Sequence, residues 1–192
     1  MKVIVGCELS QVVTKAFRER GYDAYSYDII PCEGGHPEWH FQDDIREVMK
    51  KEKFDLGIFH PPCTYLCNSG VRWLYEKPGR WELLNNAIDF FNWCFKLPIE
   101  KICIENPIMH KHAKLKISKP YSQIIHPWQF GHGETKATCL WLIGLPLLKP
   151  TNIVLGRDDR VHRESPSVDR WKKRSITLPG IAKAMASQWG YV

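Results

Sequence analysis

Residues 54–70 read FDLGIFHPPCTYLCNSG, an apolar run that ends in a histidine, two consecutive prolines and a cysteine. The run FDLGIF has the length and apolar character of a buried strand. Pro61 and Pro62 restrict the backbone dihedral angles directly after that strand, and this stiffness holds Cys63 in place. The stretch therefore predicts a strand that presents a fixed thiol at its carboxyl end.

Short apolar runs of this kind alternate with amphipathic segments along the chain. The predicted strands cover residues 2–6, 23–28, 54–59, 101–106 and 138–144, with a further candidate at 126–130. The predicted helices cover residues 10–20 and 80–97, part of 41–53, and the end of the chain after Pro179. This alternation predicts an α/β fold with a mostly parallel central sheet and helices on both faces. In such sheets ligands bind at the carboxyl ends of the strands, near the point where strand order reverses.

Length and composition fit a single globular domain over residues 1–192. The chain is 44% hydrophobic and 25% charged, and it lacks an apolar run of about 18 residues that could span a membrane. Its first residues turn polar too early for a secretory signal, so we expect a cytoplasmic protein whose seven cysteines are free thiols. The formal net charge of +6 is compatible with a polyanionic partner.

Taken in chain order, the strand ends resemble the motifs of the cytosine-C5 DNA methyltransferases, which use S-adenosylmethionine. The matching stretches are VIVGCELSQVVTKAFRERG, SYD, QDDI, FHPPCTYL, IENP, QFGHGETKATCLWLIG and RSITLPGIAKAMASQWG. They cover nearly the whole chain in the family's order, and Pro-Cys followed by Glu-Asn at consecutive strand ends is the most specific part. The resemblance implies a Rossmann-like class I methyltransferase that methylates C5 of cytosine in DNA.

The resemblance also implies catalytic roles, and the chemistry explains why these residue types are needed. Cytosine C5 is a poor nucleophile, so a thiolate, here Cys63, first adds to C6. Glu105 meets the developing charge at N3 as an acid, and we expect its burial to favour the protonated form. Lys136 replaces one of the family's paired arginines and is expected near the base carbonyl as a single charge.

S-adenosylmethionine has no phosphate, so the absence of a glycine-rich phosphate loop is compatible with this cofactor. The resemblance implies that Asp28 accepts from the ribose hydroxyls, Asp44 accepts from the adenine amino group, and Ile45 covers the adenine face. Both aspartates could instead be helix caps, and Ser10 is expected to cap the first helix. The full set of residues expected at the cofactor is Gly6, Cys7, Glu8, Ser10, Asp28, Ile29, Asp44, Ile45 and Pro61.

Residues 66–80 occupy the position of the family's catalytic loop and are expected to close over a flipped base. The residues expected to contact the substrate are Pro62, Arg72, Asn106 and Thr138. Residues 145–177 form an irregular segment in place of a target-recognition domain. Two alternatives therefore stay open: modification of a free cytosine nucleotide such as dCMP, with methyl or another group, or a non-catalytic nucleic-acid-binding decoy.

Two further features have plainer interpretations. The stretch CEGGHPEWH contains Cys32, His36 and His40, but no complete set of four ligands accompanies them. We therefore predict a flexible loop beside the cofactor and no metal. Cys67 is expected to be a packed thiol or a loop residue near the site.

Overall fold

A computed structural model describes residues 1–161 and 163–191 of the chain, and within them one seven-stranded sheet forms the centre of the fold. Its strands, in chain order from β1 to β7, are Lys2–Gly6, Asp23–Asp28, His40–Gln42, Leu56–Phe59, Lys101–Pro107, Gln123–Ile125 and Thr138–Ile143. Their spatial order is β3-β2-β1-β4-β5-β7-β6. Along the spatial order from β3 through β2, β1 and β4 to β5, all neighbouring strands pair in parallel. Strand β7 runs antiparallel to both of its neighbours, β5 and β6. The predicted α/β fold with a mostly parallel sheet is confirmed.

Helices cover both faces of this sheet. In chain order from α1 to α7 they are Val12–Arg18, Ile45–Lys51, Trp73–Glu76, Arg80–Cys94, Lys111–Lys114, Arg170–Ser175 and Pro179–Trp189. Because side chains alternate along a strand, Ile4 of β1 packs in the same cluster as Phe91 of α4, on one face. Val5 packs with Phe17 of α1 and Trp189 of α7 in a second cluster, on the other face. Burial on both faces explains why the central strands are apolar without interruption.

The beginning of α1 differs from the prediction. The helix starts at Val12 because Gln11 has a left-handed backbone, with φ 56°. The expectation that Ser10 caps this helix is wrong. The buried Glu8 carboxylate accepts hydrogen bonds from the backbone N–H of Val13 at 2.7 Å and of Thr14 at 3.2 Å, and so takes the capping role.

The candidate strand at residues 126–130 is also wrong. The strand β6 lies immediately before it, and Pro127–Gln129 forms a short 3-10 helical turn. Pro127 has no N–H to donate to a sheet ladder, and its fixed φ suits the first position of such a turn. The apolar and aromatic residues of this stretch are therefore not a sign of extended structure.

The segment 145–177 contains α6, and its other described residues form no further helix or strand. His162, within this segment, and Val192, at the end of the predicted domain, lie outside the described residues. Within the part of the chain that the structure describes, no helix is both long and apolar enough to cross a lipid bilayer.

Candidate active site

The central strands bring their carboxyl ends to one edge of the sheet. Gly6 at the end of β1 is paired with Tyr27 of β2 and with Phe59 of β4, and Phe59 is paired with Ile104 of β5. The order of strands reverses between β1 and β4, so the residues that follow these strands surround the switch point of the sheet. Most of the residues that the sequence analysis predicts to bind cofactor or substrate lie at this edge.

The turn after β1 is the most tightly packed part of the edge. A Cβ atom at Gly6 would lie 2.1 Å from Cδ1 of Ile45 and 2.6 Å from the Phe59 ring, so only glycine fits there. Cys7 has a left-handed φ of 59°, and its N–H donates to the carbonyl of Tyr27 at 2.7 Å. Burial raises the pKa of the Cys7 thiol, and the charges of Asp28 and Asp44 raise it further, so both carboxylates lie around this turn.

Asp28 ends β2 beside that turn. The backbone N–H of Ile30 donates to one of its carboxylate oxygens at 3.1 Å, and burial raises the pKa of the Asp28 carboxyl. A carboxylate accepts more than one hydrogen bond, so Asp28 retains capacity for a ligand. The neighbouring Ile29 is 71% exposed and is therefore open to contact from a bound molecule.

Asp44 and Ile45 begin α2, on the far side of the same turn. Asp44 is the N-cap of this helix, accepting from the N–H of Arg46 at 2.9 Å, and it forms an ion pair with the Arg46 side chain. The hydrogen bond from Arg46 lowers the pKa of the Asp44 carboxyl. The alternative interpretation of Asp44 as a helix cap is thus observed, while contact with adenine stays a prediction. Ile45 is buried against Gly6.

Residues 32–36 form a loop next to α1 that Gln11 holds in place. The buried Gln11 amide donates to the carbonyl of His36 at 2.8 Å and accepts from the His36 N–H at 3.0 Å. The Cys32 thiol donates to the same amide oxygen, whereas the His40 ring contacts Ser26. Among the described residues, no group of three or more His, Cys, Asp or Glu side chains is arranged to hold a metal ion.

Cys63 follows the two prolines at the end of β4 and starts a turn. Its carbonyl accepts from the N–H of Leu66 at 2.9 Å and from the N–H of Cys67 at 3.0 Å. The Cys63 thiol donates a hydrogen bond to the Cys67 sulfur; this bond and burial raise the pKa of Cys63. The same bond, with further help from Ser69, lowers the pKa of Cys67 to about 5.

Glu105 emerges from β5 facing the strand end that carries Cys63. Its carboxylate lies 3.1 Å from Nδ1 of His60, and both side chains are nearly buried. Burial raises the pKa of Glu105, but the hydrogen bond from His60 and the charges of His60 and Lys136 outweigh it, and the net pKa is lowered. Burial by itself favours the protonated form, as expected, but the net direction is the opposite, because the sequence alone did not reveal the partner His60.

The neighbouring Asn106 fixes the relative position of β5 and the turn that carries Cys63. Its side-chain amide donates to the carbonyl of Pro61 at 2.7 Å, and the residue is almost fully buried. Pro62 lies between that anchor and Cys63 in the chain. Arg72, which was also expected at the substrate, stacks on the ring of Trp73 in the loop that follows.

The segment that contains α6 closes over this site. Nζ of Lys136 donates to the carbonyl of Ile176 at 3.3 Å, and Lys172 of α6 pairs with Glu33 in the loop beside α1. A pocket of about 10 Å³ remains, which is room for about one water molecule. The pocket is lined by Glu105, Pro127, Lys136, Thr138, Thr177, Leu178 and Ile181.

Glu105, Lys136 and Thr138 thus line one pocket, and the charges of Glu105 and Lys136 act on the Cys63 thiol; the catalytic and substrate-binding roles of these residues stay predictions. Sequence reasoning missed the roles of His60 and Cys67. Both stand in the quoted stretch HPPCTYLC, so the signal was available, but only the pairing of β4 with β5 places His60 against Glu105. Glu8 was expected at the cofactor, yet both of its oxygens are engaged by α1.

Solved structures with the same fold were found by comparison. One is described as a DNA modification methyltransferase encoded within an Escherichia coli prophage, with TM-score 0.53, 14% identity, and 88% of this chain and 56% of that chain covered. A second is the Entamoeba histolytica methyltransferase EhMeth, with TM-score 0.50, 14% identity, and 88% and 61% covered. This chain has the methyltransferase fold.

The resemblance seen in the sequence is therefore confirmed at the level of the fold. At this identity the likeness to the methyltransferases extends to the fold alone. The chain spans less than two thirds of the length of these two methyltransferases. No family model matches the chain, and no curated protein sequence matches it either.

Proposed function

We propose that this protein transfers a methyl group from S-adenosylmethionine to C5 of cytosine in DNA, through a covalent bond between Cys63 and C6. The observation that supports this most directly is the grouping of three side chains. The charges of Glu105 and Lys136 both act on the Cys63 thiol, which the two prolines hold at the switch point of the sheet. A thiol, a carboxyl and a cation are the groups that this reaction requires.

The residues around the turn after β1 fit the cofactor. Gly6 lets the Ile45 and Phe59 side chains pack closely against the turn and so fixes its position, and Asp28 beside it can accept from a ribose diol. Ile29 is open to a flat apolar ring. When bound, S-adenosylmethionine supplies an electrophilic methyl group. Because the Glu8 and Asp44 side chains already hold helix ends, we assign their contribution to the position of this turn.

The covalent step follows from the proton positions of the site. Cys63 Sγ bonds to C6 as its proton passes to the Cys67 sulfur, which already accepts the hydrogen bond between them. The electron pair of the C5–C6 double bond moves into the ring, N3 takes a proton from the side of Glu105, and C5 becomes nucleophilic. After methyl transfer a water molecule takes the C5 proton, the C5–C6 double bond re-forms as N3 gives its proton back to the side of Glu105, and Cys63 is expelled and takes back the proton held by Cys67. Lys136 is the cation available to the base carbonyl.

Entry of a base requires part of the site to open. The pocket beside Glu105 and Lys136 holds about 10 Å³, far less than a pyrimidine ring occupies. The residues that cover it, Thr177 and Leu178, join α6 to α7 and are held by the hydrogen bond from Lys136 to Ile176. We therefore propose that the segment around α6, together with residues 66–80, moves when substrate binds.

The decisive assay measures labelled methyl transfer from S-adenosylmethionine to duplex DNA, single-stranded DNA and dCMP. Cys63→Ser should abolish transfer, whereas the matched control Cys32→Ser, which changes a thiol in a different loop, should retain it. Transfer by Cys63→Ser at the wild-type rate would refute the thiol mechanism. Titration calorimetry that finds DNA binding without cofactor binding would favour the non-catalytic alternative.

A free cytosine nucleotide is the second candidate substrate. It is favoured by one observation: between β7 and α7 the described residues form only the short helix α6. A segment of that size is too short for a separate domain that recognises a DNA sequence. If dCMP is methylated and neither DNA substrate is, the nucleotide is the substrate.

A further inference from the structure

His60 is a buried imidazole that the covalent step described above does not use. Its backbone N–H donates to the carbonyl of Gly6 at 2.9 Å, which fixes the residue at the switch point of the sheet. Its Nδ1 lies 3.1 Å from Oε2 of Glu105, and the side chain is 11% exposed. Its other ring nitrogen, Nε2, is buried and has no hydrogen-bond partner among the described residues. Most buried polar atoms in proteins have a hydrogen-bond partner, so this nitrogen is available to a group that enters the site.

The charged groups around His60 come from more than one strand of the sheet. Glu105 on β5 accepts its hydrogen bond, and the imidazole also acts electrostatically on Asp28 at the end of β2. Lys136, which precedes β7, acts on Glu105 from the other side. His60 therefore lies among two carboxylates, and two basic side chains, His60 and Lys136, act on Glu105.

Glu105 by itself therefore cannot supply the proton that the reaction needs at N3. In this structure its carboxyl is held ionised by His60 and Lys136, so it has no proton of its own to give to N3. The proton that it needs lies on the ring nitrogen that already donates to it. Histidine is the side chain that exchanges its proton most readily near neutral pH.

We propose that His60 is a positioning residue that stores the proton for N3 and delivers it through Glu105. The inference rests on the proposed function. Before attack the pair is an imidazolium and a carboxylate. As Sγ of Cys63 bonds to C6, Glu105 passes a proton to N3 and receives the Nδ1 proton of His60, which leaves a neutral imidazole and a carboxylate. When Cys63 departs, N3 returns its proton by the same route, so the pair is restored.

The test is the pH dependence of kcat in His60→Asn, whose amide occupies the place of Nδ1 and donates to Glu105 but cannot transfer a proton. In this variant the proton destined for N3 must reside on Glu105 itself. A carboxyl group loses this proton at lower pH than the His60–Glu105 pair does. The alkaline limb of the kcat profile should move at least about one pH unit to the acid side. The ratio of wild-type to variant kcat should then rise about tenfold per pH unit above that limb.

A purely structural role for His60 would lower kcat equally at all pH values and would raise KM. We expect KM for both substrates to stay within about twofold of wild type. The matched control is His112→Asn, a half-buried histidine outside the site that contacts Tyr75, which should leave the profile unchanged. A His60→Asn profile that coincides with wild type overturns the proposal.

A second measurement applies even if His60→Asn does not fold. Nitrogen NMR of histidine-labelled protein follows the His60 ring through a pH titration, in wild type and in Glu105→Gln. Loss of the facing carboxylate should shift the His60 titration to lower pH, and an unchanged midpoint overturns the proposal. If wild type transfers no methyl group to any cytosine substrate while this shift is present, the proposed function fails and the proton-sharing pair stands.

Discussion

Replacing Gly6 with alanine tests the architecture of the site without any assay of activity. The new Cβ atom would lie 2.1 Å from Cδ1 of Ile45, and 2.6 Å and 3.1 Å from two carbons of the Phe59 ring. All three atoms belong to nearly fully buried side chains, and Phe59 is 1% exposed, so neither neighbour can rotate into solvent. Overpacking of this kind costs about 1–3 kcal/mol. For a chain of this length, a loss of that size lowers Tm by about 2–4 °C for each kcal/mol.

The assay is urea unfolding followed by circular dichroism, with the free energy of unfolding taken from the midpoint and slope. The matched control is Gly133→Ala, where an added Cβ meets nothing within 4 Å. A surface change of that kind should stay within about 0.5 kcal/mol of wild type.

A double-mutant cycle identifies the clashing atom. Ile45→Val removes Cδ1, the atom nearest to the new Cβ, and by itself costs about 0.5–1.5 kcal/mol. The double variant should lose less free energy of unfolding than the sum of the two single losses, because Ile45→Val relieves part of the clash that Gly6→Ala creates. The Phe59 contact remains, so rescue should be incomplete. Strict additivity, or a Gly6→Ala protein as stable as wild type, would refute the packing that we infer for this turn.

Three other predictions concern buried polar groups. Glu8→Ala should cost about 1–3 kcal/mol of unfolding free energy in the urea assay because it orphans helix donors, whereas Ser10→Ala should be nearly neutral; equal effects would contradict the capping assignment. Cys67 should be alkylated down to about pH 5 in peptide-mapping mass spectrometry, and Cys63→Ala should raise that limit by removing the hydrogen bond that lowers its pKa; the same limit in both proteins would contradict the thiol pair. The pKa of Glu105 is lowered in the fold, so its stabilising effect is present above the unfolded value of 4.5 and is lost as pH falls through the lower folded value. Glu105→Gln should remove that acid-side loss in thermal melts over pH 3 to about 6, and an unchanged slope would show that Glu105 does not titrate as we infer.

The fold could be predicted from the sequence because its main signals are local. Apolar runs such as residues 2–6 and 101–106 each bury a strand on both faces, and the periodic helix at 80–97 was correctly placed, with its end at Cys94. Prediction failed where a local signal was ambiguous. Residues 126–130 are aromatic enough for a strand, but Pro127 removes the N–H that a ladder needs, and the pairing moves to the preceding residues.

The candidate site likewise has features that the sequence predicts and features that it does not. Asp28 and Glu105 lie at the ends of predicted strands and Cys63 follows one, and parallel strands end at one edge of a sheet, so their proximity could be inferred from the sequence. Their protonation could not, because it depends on partners that the chain supplies from other elements. Burial of Glu105 pointed towards a protonated acid, and only the position of His60 across the neighbouring strand reverses the direction.

By itself, the amino-acid sequence determined which strands and helices form and which chemical groups lie at the carboxyl ends of the central strands. Hydrophobic periodicity and proline stiffness act over a few residues, so these features are local. The tertiary structure alone decided which nitrogen faces Glu105, which sulfur accepts from Cys63, and how the segment around α6 closes the pocket. Those outcomes depend on distances of about 3 Å between residues far apart in the chain, and hydrogen bonds and charge interactions are governed by such distances.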